Sequence, residues 1–314
     1  MDKVDIAELT LVNSLSVRRS DRVLVVCDEE TIDIGQAFFW GANRISMSPH
    51  LLEMKKGRRH GDEPSRMVAR AMAESDVIVA PTTYSLTYTN ATRMALSKGA
   101  RIATMPGLTM EMLMSGGLDA DYGNIAKRIR KFAKIVSRKR SLRITSEEGC
   151  DISMSIRGRD WITEDTGVCH KRGSITNLPA GEVFIAPRER SANGKVVVDG
   201  VFTESSSGRI EMDVRDGVVE EMDGPDDVRA QIMRGSCQRT LCEVGIGMNP
   251  RSHIMWNILE DQKKLGTVHI GFGDNSTFGG KINCDQHYDG LILHPNLWIG
   301  DKKIIENGNF LLEI

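Results

Sequence analysis

The stretch from Leu241 to Gly290 sets the tightest limits on what this 314-residue chain can become. It reads LCEVGIGMNP, then a spacer of helical character, then TVHIGFGDNSTFGGKINCDQHYDG. Short apolar runs broken by glycine are strand material, and a strand interior is a costly place for an unpartnered charge. Yet Glu243, His269, His287 and Asp289 all lie in such runs, and three of the seven histidines (His269, His287 and His294) fall between positions 269 and 294. His287 and Asp289 are two residues apart, which puts both side chains on one face of a strand. Imidazole and carboxylate are the usual ligands of Zn²⁺ and of non-haem Fe(II). The stretch therefore predicts a metal site whose walls are built by the rest of the chain.

Upstream, the pattern is different. Val4, Ile6, Leu9, Val12 and Leu15 keep a helical period, and the run from Arg22 to Cys27 reads as a buried strand. A helix capped near Asp28–Thr31 is expected to reach about Ala42, followed by a strand over Arg44–Met54. A helix over Pro64–Ser75, a strand at Val77–Ala80, a helix over Thr89–Lys98 ending at Gly99, and a strand from Arg101 continue the alternation. Strand–helix alternation predicts a small doubly wound α/β domain with a parallel sheet. No GxGxxG or Walker A sequence follows the first strand, so nucleotide binding has no motif to rest on. Nine basic residues between Lys127 and Arg143 share a helix with Ile125, Ile129, Phe132 and Val136, and that helix is expected to close the first domain.

After Ser141 short alternating runs are separated by Gly, Asn-Gly or Asp-Gly, and Asp199-Gly200 and Asp216-Gly217 are hairpin signals. This half reads as β-rich, with helices near Asp226–Met233 and Ser252–Lys264. The expected division is an α/β domain over 1–140 and a β-rich α+β metal-binding domain over 141–314. A net charge of −2 predicts no strong attraction to nucleic acid or to a membrane. The longest apolar runs are too short to span a bilayer, and the first residues lead into an amphipathic helix, which predicts a cytoplasmic protein. The six cysteines form no CxxC pair and are expected as reduced thiols, including Cys237, Cys242 and Cys284.

Glu182, in PAGEVFIAP, sits in a setting like that of Glu243. Together with His269, His287 and Asp289 these residues make a carboxylate-rich set suited to one or two divalent ions. The segments NLPAGEVFIAP, CEVGIGMNP, HIGFG and QHYDG resemble the aminopeptidase T/aminopeptidase S family of metallopeptidases; the likeness covers most of the second half and, loosely, SLTYTNATRMA and PGLTMEML in the first. The resemblance implies that Glu182, Glu243, His269, His287 and Asp289 hold one or two divalent ions (Zn, Co or Mn), and that the protein is a homodimer. It implies a hydrolase cleaving a small amide or peptide with a metal-activated water, Glu182 being the residue expected to act as base. Ser276 stands where that family carries a tyrosine, and Asn275 or Thr277 would have to take over its role as a donor. The first domain is also shorter than in those peptidases.

The 2,5-dihydroxypyridine dioxygenase branch of the same superfamily resembles this chain in the His-x-Asp motif and the GxGxxP segment. It implies one Fe(II) held by two histidines and an aspartate. In that branch the Glu243 place is a histidine and the Glu182 and His269 places are apolar. A third expectation, from outside enzymology, is a non-enzymatic metal- or ligand-binding protein with a degenerate site.

Overall fold

The computed structural model describes residues 1–203 and 208–312, which fall into two compact units. The first comprises residues 1–126, 165–180 and 251–253, and the second takes the rest. In the first half of the chain α1 (Lys3–Leu15), β1 (Arg22–Asp28), α2 (Ile32–Ile45), β2 (Ser48–Met54), α3 (Arg66–Ala73), β3 (Val77–Ala80), α4 (Asn90–Ser97), β4 (Arg101–Thr104), α5 (Met110–Ser115) and α6 (Tyr122–Val136) follow one another. Strands β5 (Ser141–Thr145) and β6 (Asp151–Ser155) belong to the second unit, and β7 (Ile175–Asn177) returns to the first.

All five strands of the first unit's sheet are parallel, in the order β2-β1-β3-β4-β7. This is the doubly wound domain expected from the alternation, and the reversal of strand order at β1 is what defines such a fold. Val23 to Cys27, Val77 to Ala80 and Ile102 to Ala103 are buried on both faces, as β-branched parallel strands must be when helices cover each side. Leu24, Val26, Met72, Ile78, Leu86 and Ile102 pack together under α3 and α4.

Two details differ from the sequence expectations here. The strand placed over Arg44–Met54 starts only at Ser48, because α2 stays helical through Ile45, where the Ser46 N–H still reaches the Ala42 carbonyl. Pro49 then holds Ser48 extended. A single cut near residue 140 also leaves out β7, three residues without a periodic signal whose backbone pairs with β4.

The second unit continues with β8 (Glu182–Ile185), β9 (Asn193–Val198), β10 (Ile210–Arg215), β11 (Val218–Asp223), α7 (Asp226–Ile232), β12 (Leu241–Gly247), α8 (Ile258–Asp261), β13 (Val268–Gly273), β14 (His287–Ile292), β15 (Asn296–Ile299), β16 (Lys302–Glu306) and β17 (Asn309–Phe310). It holds two antiparallel sheets, β11-β10-β9-β6-β5-β15-β16-β17 and β14-β13-β12-β8. Asp216 and Gly217, with φ of 48° and 75°, make the two-residue turn between β10 and β11.

The other Asp-Gly signal fails as a hairpin. Asp199 instead accepts the Leu293 N–H at 2.8 Å, and residues 199–203 run on beside β14, with Gly200 N–H to Leu291 O and Leu291 N–H to Val201 O both at 3.0 Å. The helix expected over Ser252–Lys264 shrinks to α8, because Asp261 accepts the Met255 N–H at 2.7 Å and folds the preceding residues back on themselves.

Cys237 and Cys284 are joined in a disulfide, whereas Cys27, Cys150, Cys169 and Cys242 are buried free thiols. The expectation of six reduced thiols is corrected for that pair, whose meeting depends on loops that spacing does not reveal. Among the described residues no helix is long and apolar enough to cross a membrane.

Arg22 at the start of β1 anchors Asp76, which precedes β3: its Nε and Nη2 lie 2.9 and 3.1 Å from the carboxylate, and its backbone N–H donates at 3.0 Å. The Arg22 hydrogen bond outweighs partial burial and lowers the Asp76 carboxyl to about 2. A depressed carboxylate stabilises the fold above its unfolded value and loses that contribution as the pH falls towards the folded one. Because the Arg22 side chain is half exposed, solvent screening leaves roughly 1 kcal/mol. Asp76→Asn should therefore lower the urea-unfolding free energy by about 1 kcal/mol at neutral pH, the deficit narrowing as the pH drops from about 5 towards 2. A deficit independent of pH would place the effect elsewhere.

Candidate metal centre

The four-stranded sheet brings all five sequence-predicted residues onto one face. Antiparallel pairing sets Glu243 opposite Gly271 and His269 opposite Gly245. It sets Glu182 opposite Gly247, Asp289 opposite Gly271, and His287 opposite Gly273. Residues opposite one another, and residues two apart along a strand, share a face. Glu182 on β8, Glu243 on β12, His269 on β13, and His287 and Asp289 on β14 therefore project together.

At Gly271 and Gly245 the absence of a side chain is what makes room for the site residues opposite. A Cβ at Gly271 would sit 2.7 Å from the Glu243 Cβ and 3.0 Å from Asp289 Oδ1, and one at Gly245 would fall inside the His269 ring.

Glu182, Glu243 and His269 are buried, while the His287 and Asp289 side chains keep 30% and 20% of their exposure. His287 Nε2 lies 3.1 Å from Asp289 Oδ1 and 3.4 Å from Glu243 Oε2. His269 Nε2 lies 3.3 Å from Glu243 Oε1 and 3.7 Å from Glu182 Oε2. Glu243 thus bridges two imidazoles, each presenting Nε2. On the far side of its ring, His287 Nδ1 lies 2.8 Å from the Asp274 carbonyl, to which it donates, which fixes the ring orientation and leaves Nε2 facing the carboxylates. The backbone of Asp289 is clamped as well: its N–H donates to Thr203 Oγ1 at 2.9 Å, and its carbonyl accepts from Thr203 N–H at 2.8 Å.

The electrostatics are those of a negative cavity. Burial pushes the Glu243 carboxyl up from its ordinary value. Burial also opposes charge on His269, but the bonded Glu243 and the nearby Glu182 and Asp289 carboxylates overcome it and raise the imidazole. At His287 the same penalty is outweighed by Asp289, which holds the ring protonated far above the usual range. Asp289 itself, despite burial, is drawn down to about 2 by His287. Burial pushes the Cys242 thiol up to about 12, so it stays neutral beside His287 Nδ1 at 3.6 Å.

Protons thus balance the charge that a metal would otherwise balance, and a cation entering here must displace them. Glu243, His287 and Asp289 offer three donor atoms within 4.8 Å of one another, a spacing that one ion can span. Buried Glu182 Oε2 and His269 Nδ1 have no hydrogen-bond partner. The donor set is one that Fe(II), Mn and Zn all accept.

Sequence reasoning overlooked Lys263. Its buried Nζ lies 2.5 Å from Glu182 Oε1, which places an ion pair beside the cluster. In DQKKLG it reads as an ordinary solvated lysine, and only its burial against Glu182 discloses it. Of the substitutes considered for the missing tyrosine, Asn275 is buried and fully engaged: its amide nitrogen donates to Cys242 O at 3.1 Å, and its oxygen accepts the Ile282 N–H at 2.8 Å. Exposed Ser276 donates to its neighbour Asp274. Gly245→Ala should keep native far-UV circular dichroism yet weaken divalent-metal affinity by about 10-fold or more by displacing His269, as measured by calorimetric titration. Unchanged affinity would show that His269 does not orient the Glu243 carboxylate to which it is bonded.

The sequence model of the NicX family, 2,5-dihydroxypyridine 5,6-dioxygenase, matches residues 16–312. A 2,5-dihydroxypyridine 5,6-dioxygenase of Pseudomonas putida is 22% identical over 204 residues, 58% of this chain and 57% of that protein, so the alignment spans little more than half of the relative. The solved structure of 2,5-dihydroxypyridine dioxygenase from Pseudomonas putida KT2440 has a TM-score of 0.77 at 19% identity, over 98% of this chain and 96% of that one. Wild-type AmpT from Thermus thermophilus has a TM-score of 0.70 at 16% identity over 99% of both chains. The resemblance read from the motifs holds in both its branches: the fold, a parallel α/β domain followed by an antiparallel β-rich one, is that of aminopeptidase T as well as of the dioxygenase. A match of the family model over nearly the whole length settles membership: the chain belongs to the NicX, 2,5-dihydroxypyridine 5,6-dioxygenase, family.

Proposed function

We propose that the chain is a metal-dependent dioxygenase that opens the ring of a dihydroxylated nitrogen heteroaromatic. The observation that carries this reading is the cluster Glu243, His287 and Asp289, sized for one ion, within a chain matched along almost its full length by the dioxygenase family. One carboxylate–histidine set with open positions is the pattern of non-haem Fe(II) oxygenases. Here Glu243 takes a place that is histidine in the dioxygenase branch, so two carboxylates and one imidazole converge, with His269 beside Glu243. Bound Fe(II) would supply the one-electron chemistry that triplet dioxygen needs to react with a closed-shell aromatic ring.

The chain's own residues supply binding and orientation. Phe278 stands edge-on to His287 with ring centroids 6.0 Å apart, and edge-on to Phe184 at 5.4 Å. Phe184 pairs with Gly245 and so shares the face that carries the donors. A flat heteroaromatic substrate finds complementary walls there, since aromatic rings favour offset or edge contacts at such separations. The buried carboxylates favour a substrate that arrives with a proton to give up.

A second reading, hydrolysis of a small amide by two metal ions, is favoured by one observation: Glu182 and His269 add two more donors on the same face. The two readings differ in what they consume. Anaerobically reconstituted Fe(II) protein should take up about one O₂ for each 2,5-dihydroxypyridine lost, followed with an oxygen electrode and by the decay of ring absorbance. Phe278→Ala should raise KM by about 10-fold, with a smaller change in kcat, as expected for lost ring contact. Release of amine from peptide amides by the Zn²⁺ or Co²⁺ protein, with no oxygen uptake, would overturn the dioxygenase reading in favour of the hydrolase.

A further inference from the structure

We propose that the Lys263 ammonium, paired with Glu182, holds that carboxylate out of the coordination shell, so that this carboxylate-rich site takes one divalent ion. The inference rests on reading the cluster as a metal centre, and it assigns the separate residues their parts. Glu182 and His269 are further donors beside the cluster: Glu182 Oε2 lies 3.7 Å and Glu243 Oε1 3.3 Å from His269 Nε2, while the three donors that lie within 4.8 Å of one another are those of Glu243, His287 and Asp289. A Glu182 free to turn could carry its oxygens closer to His269 and Glu243 and complete a second set of ligands. A further group is what prevents this. Lys263 Nζ lies 2.5 Å from Glu182 Oε1, and both side chains are almost fully buried.

Glu182 thereby has its charge matched by a covalently tethered cation. A divalent ion coordinated by its other oxygen would lie within a few ångströms of that ammonium, in a cavity where repulsion is poorly screened. The remaining donors, Glu243, His287 and Asp289, keep two negative charges for one dication. The three carboxylates are then balanced by one dication and one lysine, whereas two dications would exceed them by one charge. Lys263 is thus a positioning residue, setting metal number and leaving Glu182 outside the coordination shell.

The test counts metal and does not depend on turnover. The full chain, stripped with chelator and re-equilibrated with Zn²⁺ or, anaerobically, with Fe²⁺, should hold about one ion, measured by elemental analysis with affinity from calorimetric titration. Lys263→Ala, which frees Glu182 and opens space, should raise the count to about two, the new ion completing a pair of the usual two-metal type. The double substitution Glu182→Gln with Lys263→Met removes both charges at nearly constant volume, and should hold one ion with affinity within about threefold of the unaltered chain.

Two ions in the unaltered chain, or one ion in a folded Lys263→Ala protein, would overturn the inference. Should Lys263→Ala not fold, the double variant decides: an affinity loss of about 10-fold or more would place Glu182 among the ligands and overturn it. No bound ion in the unaltered chain would instead remove the metal-centre reading beneath it, an outcome distinct from two.

Discussion

Five ionisable side chains crowd one face of a four-stranded sheet, and each stands opposite a glycine. Gly271 makes room for Glu243 and Asp289 and Gly245 for His269, while Gly247 and Gly273, opposite Glu182 and His287, admit the backbone of Lys264 and Gln286. An ordinary sheet would fill those positions with side chains and divide these charged groups among separate pockets. Leaving them bare weakens the strands, since glycine lowers strand stability and packs nothing. The buried faces of the same strands offset that loss: Val244, Ile246, Val268, Ile270 and Phe272 are inaccessible to solvent on the opposite side. The alternation visible in CEVGIG and VHIGFG is therefore a division of labour, one face holding the sheet together and the other holding charge.

That charge dictates what surrounds it. Carboxylates buried in a strand face must be neutralised by protons, by a basic side chain or by metal. The first two occur within one constellation here, and the donors for the third are spaced for it. His287 is held protonated by Asp289, Lys263 meets Glu182, and the spacing of Glu243, His287 and Asp289 suits an ion. The loop from Asp274 to Gln286 serves the same end. Its Asp274 carbonyl orients His287, Asn275 ties it to Cys242 O, and the disulfide at Cys284 anchors its far end to Cys237. A loop with so many tethers behaves as part of the scaffold, and this explains why Asn275 is spent on structure and is not available to a substrate.

Much of this was legible in the amino-acid sequence, and the reason is specific. Glu243, His269, His287 and Asp289 are conspicuous because charge inside a glycine-broken apolar run conflicts with burial, and such conflicts mark functional positions. Glu182 was found by the same sign. Lys263 gave no such sign, because a lysine between a short helix and a turn looks solvated unless the register of β8 and the path of α8 are known. β7 and the Asp199-Gly200 segment were lost for a related reason. Three residues of strand carry no period, and an Asp-Gly pair makes a hairpin only when no edge strand lies ready to receive the chain, as β14 does here. Local patterns fix what a segment prefers, and long-range pairing decides between near-equal preferences.

The two solved relatives bear the names of an oxygenase and an aminopeptidase, yet both superpose on this chain nearly end to end. One sheet face can serve both chemistries because it presents donors without specifying how many cations they hold. Hydrolysis by a two-metal route needs two ions to polarise the amide and activate water. Oxygen chemistry needs one redox ion with free coordination positions and an organic substrate placed against it. Between those demands the decisive quantity is the number of positive charges the protein itself brings to the carboxylates. A tethered ammonium at Glu182 lowers that demand by one, so the charge the protein itself supplies bears directly on how many cations the face can hold.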